Sequence, residues 1–154
     1  LHVQEHSFPT RRSSDLVLER TNVERYERYE EVKKNETRWE EYLMEDAEYA
    51  IVAFGIAARV AKNAIKVLRE KGIKAGLIRP ITVWPFPTEP IREASFRVKG
   101  FLSVELSMGQ MIEDVKLASE CRKPVELCYR AGGMIPDVER IVKSVEKMAE
   151  GGRN

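Results

Sequence analysis

The sequence contains few of the residues on which catalytic and metal sites depend. Its 154 residues include two histidines, His2 and His6, and two cysteines, Cys121 and Cys128. Because both histidines lie at the very start, we expect no histidine-based triad or histidine-rich metal site in the rest of the chain. The cysteines are too few for a disulfide framework, and their spacing matches no zinc or iron–sulfur pattern. We therefore predict no metal site, and we expect both cysteines to be small, buried or partly buried hydrophobes in a reducing, cytoplasmic setting.

The sequence also lacks an excess of charge and a long apolar run. Lys and Arg total 26, Asp and Glu total 25, and the formal net charge is +1. This balance gives no general attraction for nucleic acid or for an anionic membrane. No apolar run approaches the roughly 20 residues that a membrane-spanning helix needs. Neither nucleic acid nor a membrane is therefore an expected partner.

Residues 1–16 differ from the rest of the chain. They contain both histidines and show neither a helical nor a strand period. The segment SFPTRRSSDL, residues 7–16, resembles a translated sequencing-library adapter; a native disordered arm is the alternative. We expect residues 1–16 to be foreign and disordered and the protein's own start to be missing, and we exclude them from functional interpretation.

Residues 17–47 are dense in charge and predict a helical connector. Positions at intervals of three or four form a mainly apolar stripe that only Glu36 interrupts. The stripe consists of Val23, Tyr26, Tyr29, Val32, Trp39 and Leu43. Acidic and basic residues alternate on the other faces, which is typical of a solvated helix surface.

Residues 48–150 alternate between strand and helix patterns. The predicted strands are 49–54, 74–79, 101–106 and 124–129, and the predicted helices are 56–71, 88–96, 108–119 and a final helix from Pro136 to about Met148. Strands joined by helices indicate a parallel sheet covered on both faces. The predicted fold is a three-layer α/β/α domain with a mainly parallel sheet and an N-terminal helical arm.

Ligands and partners of such a sheet meet the loops at the carboxyl ends of its strands. In the loop RPITVWPFP, Arg79 is suited to binding a carboxylate or phosphate, and prolines stiffen the segment that carries Trp84 and Phe86. A rigid aromatic loop with an arginine favours an interface over a catalytic site. The residues directly after Gly55, IAARV, contain no second or third glycine, so a turn is preferred to a dinucleotide-binding loop.

The segment ELSMGQM after the third predicted strand offers no complete catalytic group. Glu105 is a possible general base without a second titrating partner, and Ser107 is expected to cap the next helix rather than act as a nucleophile. We predict no catalytic and no cofactor-binding residue. The candidate interface residues are Arg79, Trp84, Phe86, Glu105, Ser107 and Gln110.

Several ordered segments resemble one protein family. IVAFGIAARVA, GLIRPITVWPFP, FLSVELSMGQMIEDV and YRAGGMIP resemble the C-terminal part of the alpha-type subunit of 2-oxoacid:ferredoxin oxidoreductases, most of all the branched-chain (2-oxoisovalerate, or 3-methyl-2-oxobutanoate) type. EVKKNETRWEEYLMEDAE resembles the helical connector that precedes this domain. The resemblance covers nearly all of residues 17–148 and implies a transketolase C-terminal-like fold.

The resemblance also implies an activity for the whole enzyme. Such complexes convert a 2-oxoacid, coenzyme A and oxidised ferredoxin to acyl-CoA, carbon dioxide and reduced ferredoxin, using thiamine diphosphate, Mg²⁺ and iron–sulfur clusters. It implies that these cofactors lie elsewhere in the complex, that none is bound by this chain alone, and that the domain contributes contacts to the other subunits. Ferredoxin and coenzyme A would be met through the complex.

Two alternatives remain open at this point. One is the C-terminal domain of another thiamine enzyme, such as a transketolase or the beta chain of a 2-oxoacid dehydrogenase. The other is a stand-alone module that binds an anion or nucleotide at the helix starts after Gly55 and Leu106.

Overall fold

The computed structural model describes residues 15–151, with side chains from residue 17. The interpretation of residues 1–16 as foreign sequence therefore lies outside the described residues, apart from the backbone of Asp15 and Leu16. The chain divides into two units between Glu36 and Thr37. The sequence pattern instead placed the start of the α/β domain at residue 48.

The first unit contains helix α1, Asp15–Glu36. Of the predicted stripe, Val23, Tyr26 and Tyr29 are exposed. The rings of Tyr26 and Tyr29 meet edge to face with centroids 6.1 Å apart. The helical arm is thus present, and among the described residues it ends at Glu36.

The prediction of a helical connector over residues 17–47 is wrong beyond Glu36. Trp39–Tyr42 form strand β1, which pairs antiparallel with the strand Ala75–Pro80. The segment WEEY is too short to show a period of its own, and the charged run around it matches a helix pattern. Backbone pairing with a segment distant in sequence decides its conformation, and local propensity is a weak constraint against such pairing.

The second unit is built on a five-stranded sheet in the order β1-β3-β2-β4-β5. Strand β1 is an antiparallel edge, and the other four strands are parallel. The strands are β1 Trp39–Tyr42, β2 Tyr49–Ala53, β3 Ala75–Pro80, β4 Gly100–Glu105 and β5 Val125–Tyr129. Every residue of β2 is buried, as its continuous apolar sequence YAIVA predicts for a strand covered on both faces.

Four helices of the second unit cover the two faces of this sheet. They are α2 Gly55–Glu70, α3 Thr88–Ser95, α4 Met111–Ala118 and α5 Val138–Gly151. Helices α2 and α5 enclose one apolar cluster with the sheet, and α3 and α4 enclose a second cluster on its other face. The predicted three-layer α/β/α fold is therefore confirmed.

Two helix starts differ from the sequence prediction. Helix α4 begins at Met111 rather than Met108, and α5 begins at Val138, so Pro136 lies before the helix instead of in its first turn. The Asp137 carboxylate accepts a hydrogen bond from the Arg140 amide at 2.8 Å. An acidic side chain just before the helix therefore caps α5.

Candidate functional site

Four loops meet where the parallel strands end, and all of them carry exposed apolar side chains. Parallel strands place their carboxyl ends at one edge of the sheet. We call this set of side chains the apolar edge: Phe54, Ile56, Ile81, Val83, Trp84, Leu106, Met108, Met134 and Ile135. Single exposed apolar residues are ordinary, but a group gathered from four loops at one edge is typical of an interaction surface.

The loop after β3 is anchored by one threonine. The amides of Ile81 and Thr82 donate to the Arg38 carbonyl at 2.9 and 3.2 Å, and the Arg38 amide donates to the Thr82 hydroxyl at 3.0 Å. The same hydroxyl donates to the Pro85 carbonyl at 2.9 Å. These bonds hold the loop against the segment that leads into β1, so its apolar side chains project from a fixed backbone.

The two aromatic candidates of this loop lie on opposite sides of it. Trp84 is 57% exposed and belongs to the apolar edge. Phe86 is partly buried and packs against the cluster beneath α3 and α4. The structure thus places Trp84 where a partner can contact it, while Phe86 fastens the loop to the domain.

Arg79 binds a carboxylate, but the carboxylate belongs to this chain. Its Nη1 donates to Glu40 Oε2 at 2.9 Å, and Lys62 donates to the other oxygen of Glu40. The hydrogen bonds from Lys62 and Arg79 hold the pKa of Glu40 below its ordinary value. The charged run around Glu40 predicts a helix, so this partner could not be foreseen from the sequence pattern.

Glu105 ends β4 and is fully buried. Its Oε1 accepts hydrogen bonds from the Ser103 hydroxyl and the Ile112 amide, both at 2.8 Å. Its Oε2 accepts bonds from the Ser107 hydroxyl at 2.7 Å, the Gln110 amide at 2.9 Å and the Met111 amide at 3.1 Å. The carboxylate therefore occupies the amino end of α4.

This geometry corrects two expectations about the segment ELSMGQM. Ser107 does not cap α4; it donates to Glu105, and the glutamate makes the cap. Burial alone would raise the pKa of Glu105, but the serine hydroxyls and the α4 amides outweigh it and hold the pKa below its ordinary value. A general base working near neutral pH needs a raised carboxyl pKa, so the arrangement does not fit that role.

The arrangement also argues against anion binding at the helix start after Leu106, one of the two sites in the anion-binding alternative. The α4 amides that would receive an anion already donate to Glu105. Gly55 adopts φ +57°, and a Cβ placed there would meet nothing within 4 Å. The positive φ at this position accounts for glycine by the turn.

The cysteines and the acidic residues form no metal centre in residues 15–151, where no group of three metal-ligating side chains gathers. Cys128 is buried as expected, and burial raises the pKa of its thiol. Cys121 is exposed, which contradicts the expectation that both cysteines are at least partly buried. It follows the end of α4 with φ 53°, and this turn directs the residue outward. Within the described part, no helix is both long and apolar enough to cross a membrane.

The sheet topology defines the class of domain first. A five-stranded, mainly parallel sheet with one antiparallel edge strand is the fold of transketolase C-terminal-like domains. The split-gene transketolase described as an inactive beta4 tetramer shares it with a TM-score of 0.64 at 22% identity, over 73% of this chain and 41% of that one. The 2-oxoglutarate:ferredoxin oxidoreductase from Magnetococcus marinus shares it with a TM-score of 0.71 at 19% identity, over 88% of this chain and 24% of that one.

The sequence then identifies the family. The model for pyruvate:ferredoxin oxidoreductase core domain II matches residues 47–141, and the chain belongs to this family. The ketoisovalerate oxidoreductase subunit VorB of Methanothermobacter marburgensis is 49% identical over 132 residues, which are 86% of this chain and 37% of that protein. The family resemblance seen in the sequence is confirmed. The chain spans little more than a third of the length of this relative.

Proposed function

We propose that the chain is the C-terminal part of a subunit of a branched-chain 2-oxoacid:ferredoxin oxidoreductase. The whole enzyme oxidatively decarboxylates a 2-oxoacid such as 2-oxoisovalerate to acyl-CoA and reduces ferredoxin. The 49% identity to a ketoisovalerate oxidoreductase subunit carries this proposal. The 2-oxoglutarate enzyme, at 19% identity, supports the fold alone.

Within that enzyme, the domain serves subunit assembly. Its carboxyl edge presents apolar side chains from four loops, and the two charged candidates there, Arg79 and Glu105, make hydrogen bonds within this chain. Arg79 bonds to Glu40, and Glu105 bonds to serine hydroxyls and the α4 amides. The occupant of the apolar edge is the remainder of the oxidoreductase, because this chain supplies about a third of the length of its relative.

The cofactors of the reaction lie outside this chain in the proposal. An iron–sulfur cluster of the common type takes four cysteine thiolates. This chain has two cysteines, one exposed and one buried. The iron–sulfur clusters are therefore assigned to other parts of a cytoplasmic complex. Thiamine diphosphate and Mg²⁺ are assigned there too, as the family resemblance implies, and ferredoxin and coenzyme A are bound through the same complex.

Association measurements with matched variants test the assembly role. Met108 on the apolar edge and Leu117 on α4 are each 75% exposed, so replacing either with alanine removes a similar exposed apolar side chain. We expect Met108→Ala and Trp84→Ala to weaken binding to the remaining parts of the oxidoreductase by about tenfold or more, as central interface residues do. Leu117→Ala should change binding by less than about twofold. Equal effects at Met108 and Leu117 would contradict the role of the apolar edge.

Activity of the assembled enzyme tests the substrate class. The complex should reduce ferredoxin, or a viologen dye in its place, when given coenzyme A and 2-oxoisovalerate. We expect a higher kcat/KM for 2-oxoisovalerate than for 2-oxoglutarate. The opposite preference would overturn the branched-chain assignment while leaving the assembly role in place.

A further inference from the structure

Glu105 is a buried carboxylate that forms no ion pair with any lysine or arginine of the described residues. Its five hydrogen-bond donors are instead two serine hydroxyls and three consecutive backbone amides. Every one of these groups comes from β4, the loop after it, or the first residues of α4. The carboxylate therefore ties the end of a strand to the start of the next helix through the loop between them.

The donor set requires a carboxylate rather than an amide. An ionised carboxylate only accepts hydrogen bonds, whereas the glutamine side chain presents one oxygen and one NH₂ group. Both oxygens receive backbone amides, Ile112 on Oε1 and Gln110 and Met111 on Oε2, so the NH₂ group of a glutamine would face at least one backbone N–H in either orientation. The positive amino end of α4 stabilises the negative charge in place of a side-chain cation.

The loop held in this way carries part of the apolar edge. Leu106 and Met108 are 44% and 75% exposed, directly beside the bonds that Ser107 and Gln110 make to Glu105. Gly109 adopts φ +108°, so the backbone turns between Met108 and the helix start. The hydrogen bonds to the buried Glu105 thus fix the loop conformation that exposes these two apolar side chains.

We propose that Glu105 is a positioning residue that shapes the β4–α4 loop for contact with the rest of the oxidoreductase. It holds Leu106 and Met108 in the arrangement that the partner binds, without itself touching the partner. This inference rests on the assembly role proposed above and adds to it a residue whose effect on binding is indirect.

The first measurement follows the loop in the whole 154-residue chain by NMR. In Glu105→Gln, hydrogen exchange of the Gln110, Met111 and Ile112 amides should accelerate by roughly tenfold or more, since hydrogen bonds to a charged group are lost. In the wild type these amide shifts should titrate together with the Glu105 carboxyl, and in the variant they should not. Asp114 lies close enough to interact with Glu105, so the titration is repeated in Asp114→Asn. Unchanged exchange in Glu105→Gln would overturn the proposal.

The second measurement separates the positioning of the loop from the assembly role. Binding of Glu105→Gln to the remaining parts of the oxidoreductase should weaken about as much as binding of Met108→Ala. If Met108→Ala weakens binding and Glu105→Gln loosens the loop without weakening binding, positioning by Glu105 is wrong and the assembly role stands. If neither Met108→Ala nor Trp84→Ala weakens binding, the assembly role itself fails.

A milder variant covers the case in which Glu105→Gln does not fold. Ser107→Ala removes one hydroxyl donor and leaves the three amides in place. It should accelerate exchange of the same amides less than Glu105→Gln does and weaken binding in proportion. Accelerated exchange with wild-type binding would again overturn the proposal.

Discussion

Glu40 and Arg79 lie directly opposite each other in the antiparallel pairing of β1 and β3, and their side chains bond at 2.9 Å. Lys62 of α2 bonds to the same carboxylate from the helix layer. One glutamate thereby links the edge strand to both its neighbouring strand and the helix above. It helps to hold in the sheet a segment whose sequence pattern favours a helix.

Removing the arginine tests this link. Arg79→Met keeps most of the aliphatic stem and should lower the free energy of unfolding by about 0.5 kcal/mol, because pairs this exposed contribute little. Thermal and urea unfolding would measure it. Arg92→Met, which breaks the exposed pair with Glu89 on α3, is the matched control and should change stability less. A larger loss from Arg92→Met would contradict the special role of the Glu40 link.

Acid should destabilise the folded chain through its bonded carboxylates. The pKa values of Glu40 and Glu105 are lowered in the folded state, by side-chain hydrogen bonds in Glu40 and by hydrogen bonds that outweigh burial in Glu105. Carboxylates of this kind add stability above the pKa of the unfolded chain and lose it as the pH falls through the folded pKa. We expect the free energy of unfolding to fall between about pH 5 and pH 3.

Two variants resolve the source of that acid effect. Glu105→Gln should flatten the fall in stability measured by urea unfolding across the same pH range. Burial, Glu105 and Glu113 raise the pKa of Asp114, so its contribution has the opposite sign, and Asp114→Asn should make the fall slightly steeper rather than flatter. A Glu105→Gln variant with an unchanged pH slope would show that other carboxylates dominate.

Two glycines should differ sharply when replaced with alanine. A Cβ at Gly76 would lie 2.6 Å from the Leu43 carbonyl oxygen and 2.6 Å from the Met44 sulfur, because the chain between β1 and β2 passes closely over it. Overpacking against backbone should cost about 1–3 kcal/mol in the free energy of unfolding. At Gly100 the nearest atom is the Met148 methyl, at 2.9 Å, which belongs to a flexible side chain and can move. Thermal unfolding should therefore give a clearly lower Tm for Gly76→Ala than for Gly100→Ala.

The two thiols should react at very different rates. Cys121 is exposed, whereas Cys128 is buried and its thiol has a pKa raised by that burial. Under native conditions iodoacetamide should modify Cys121 and spare Cys128, and in denaturant it should modify both. Mass spectrometry of the alkylated chain measures this. Native modification of Cys128 at the rate of Cys121 would contradict the packing around β5.

The strand and helix assignments of the α/β unit follow from local pattern. The run YAIVA in β2 and the amphipathic repeat of α2 each contain a strong period, and the structure agrees with the predicted strand bounds within about two residues. The helix prediction for residues 37–47 is wrong because the four-residue strand there is too short to show alternation and lies in a charged run that matches a helix. Helix α4 begins late because the backbone leaves the helical region at Gly109, with φ +108°, before Glu105 caps the amides of residues 110–112.

The sequence by itself determined the family, the layered α/β fold and the expectation that function resides in the loops at the carboxyl ends of the strands. Those features depend on hydrophobic periodicity and on ordered local segments, which are present in the linear sequence before any tertiary contact is known. Only the tertiary structure decided that Arg79 binds Glu40, that Trp84 faces outward while Phe86 packs inward, and that Glu105 caps α4. Each of these depends on which backbone groups and side chains meet after the sheet assembles, and on how a buried charge finds its donors.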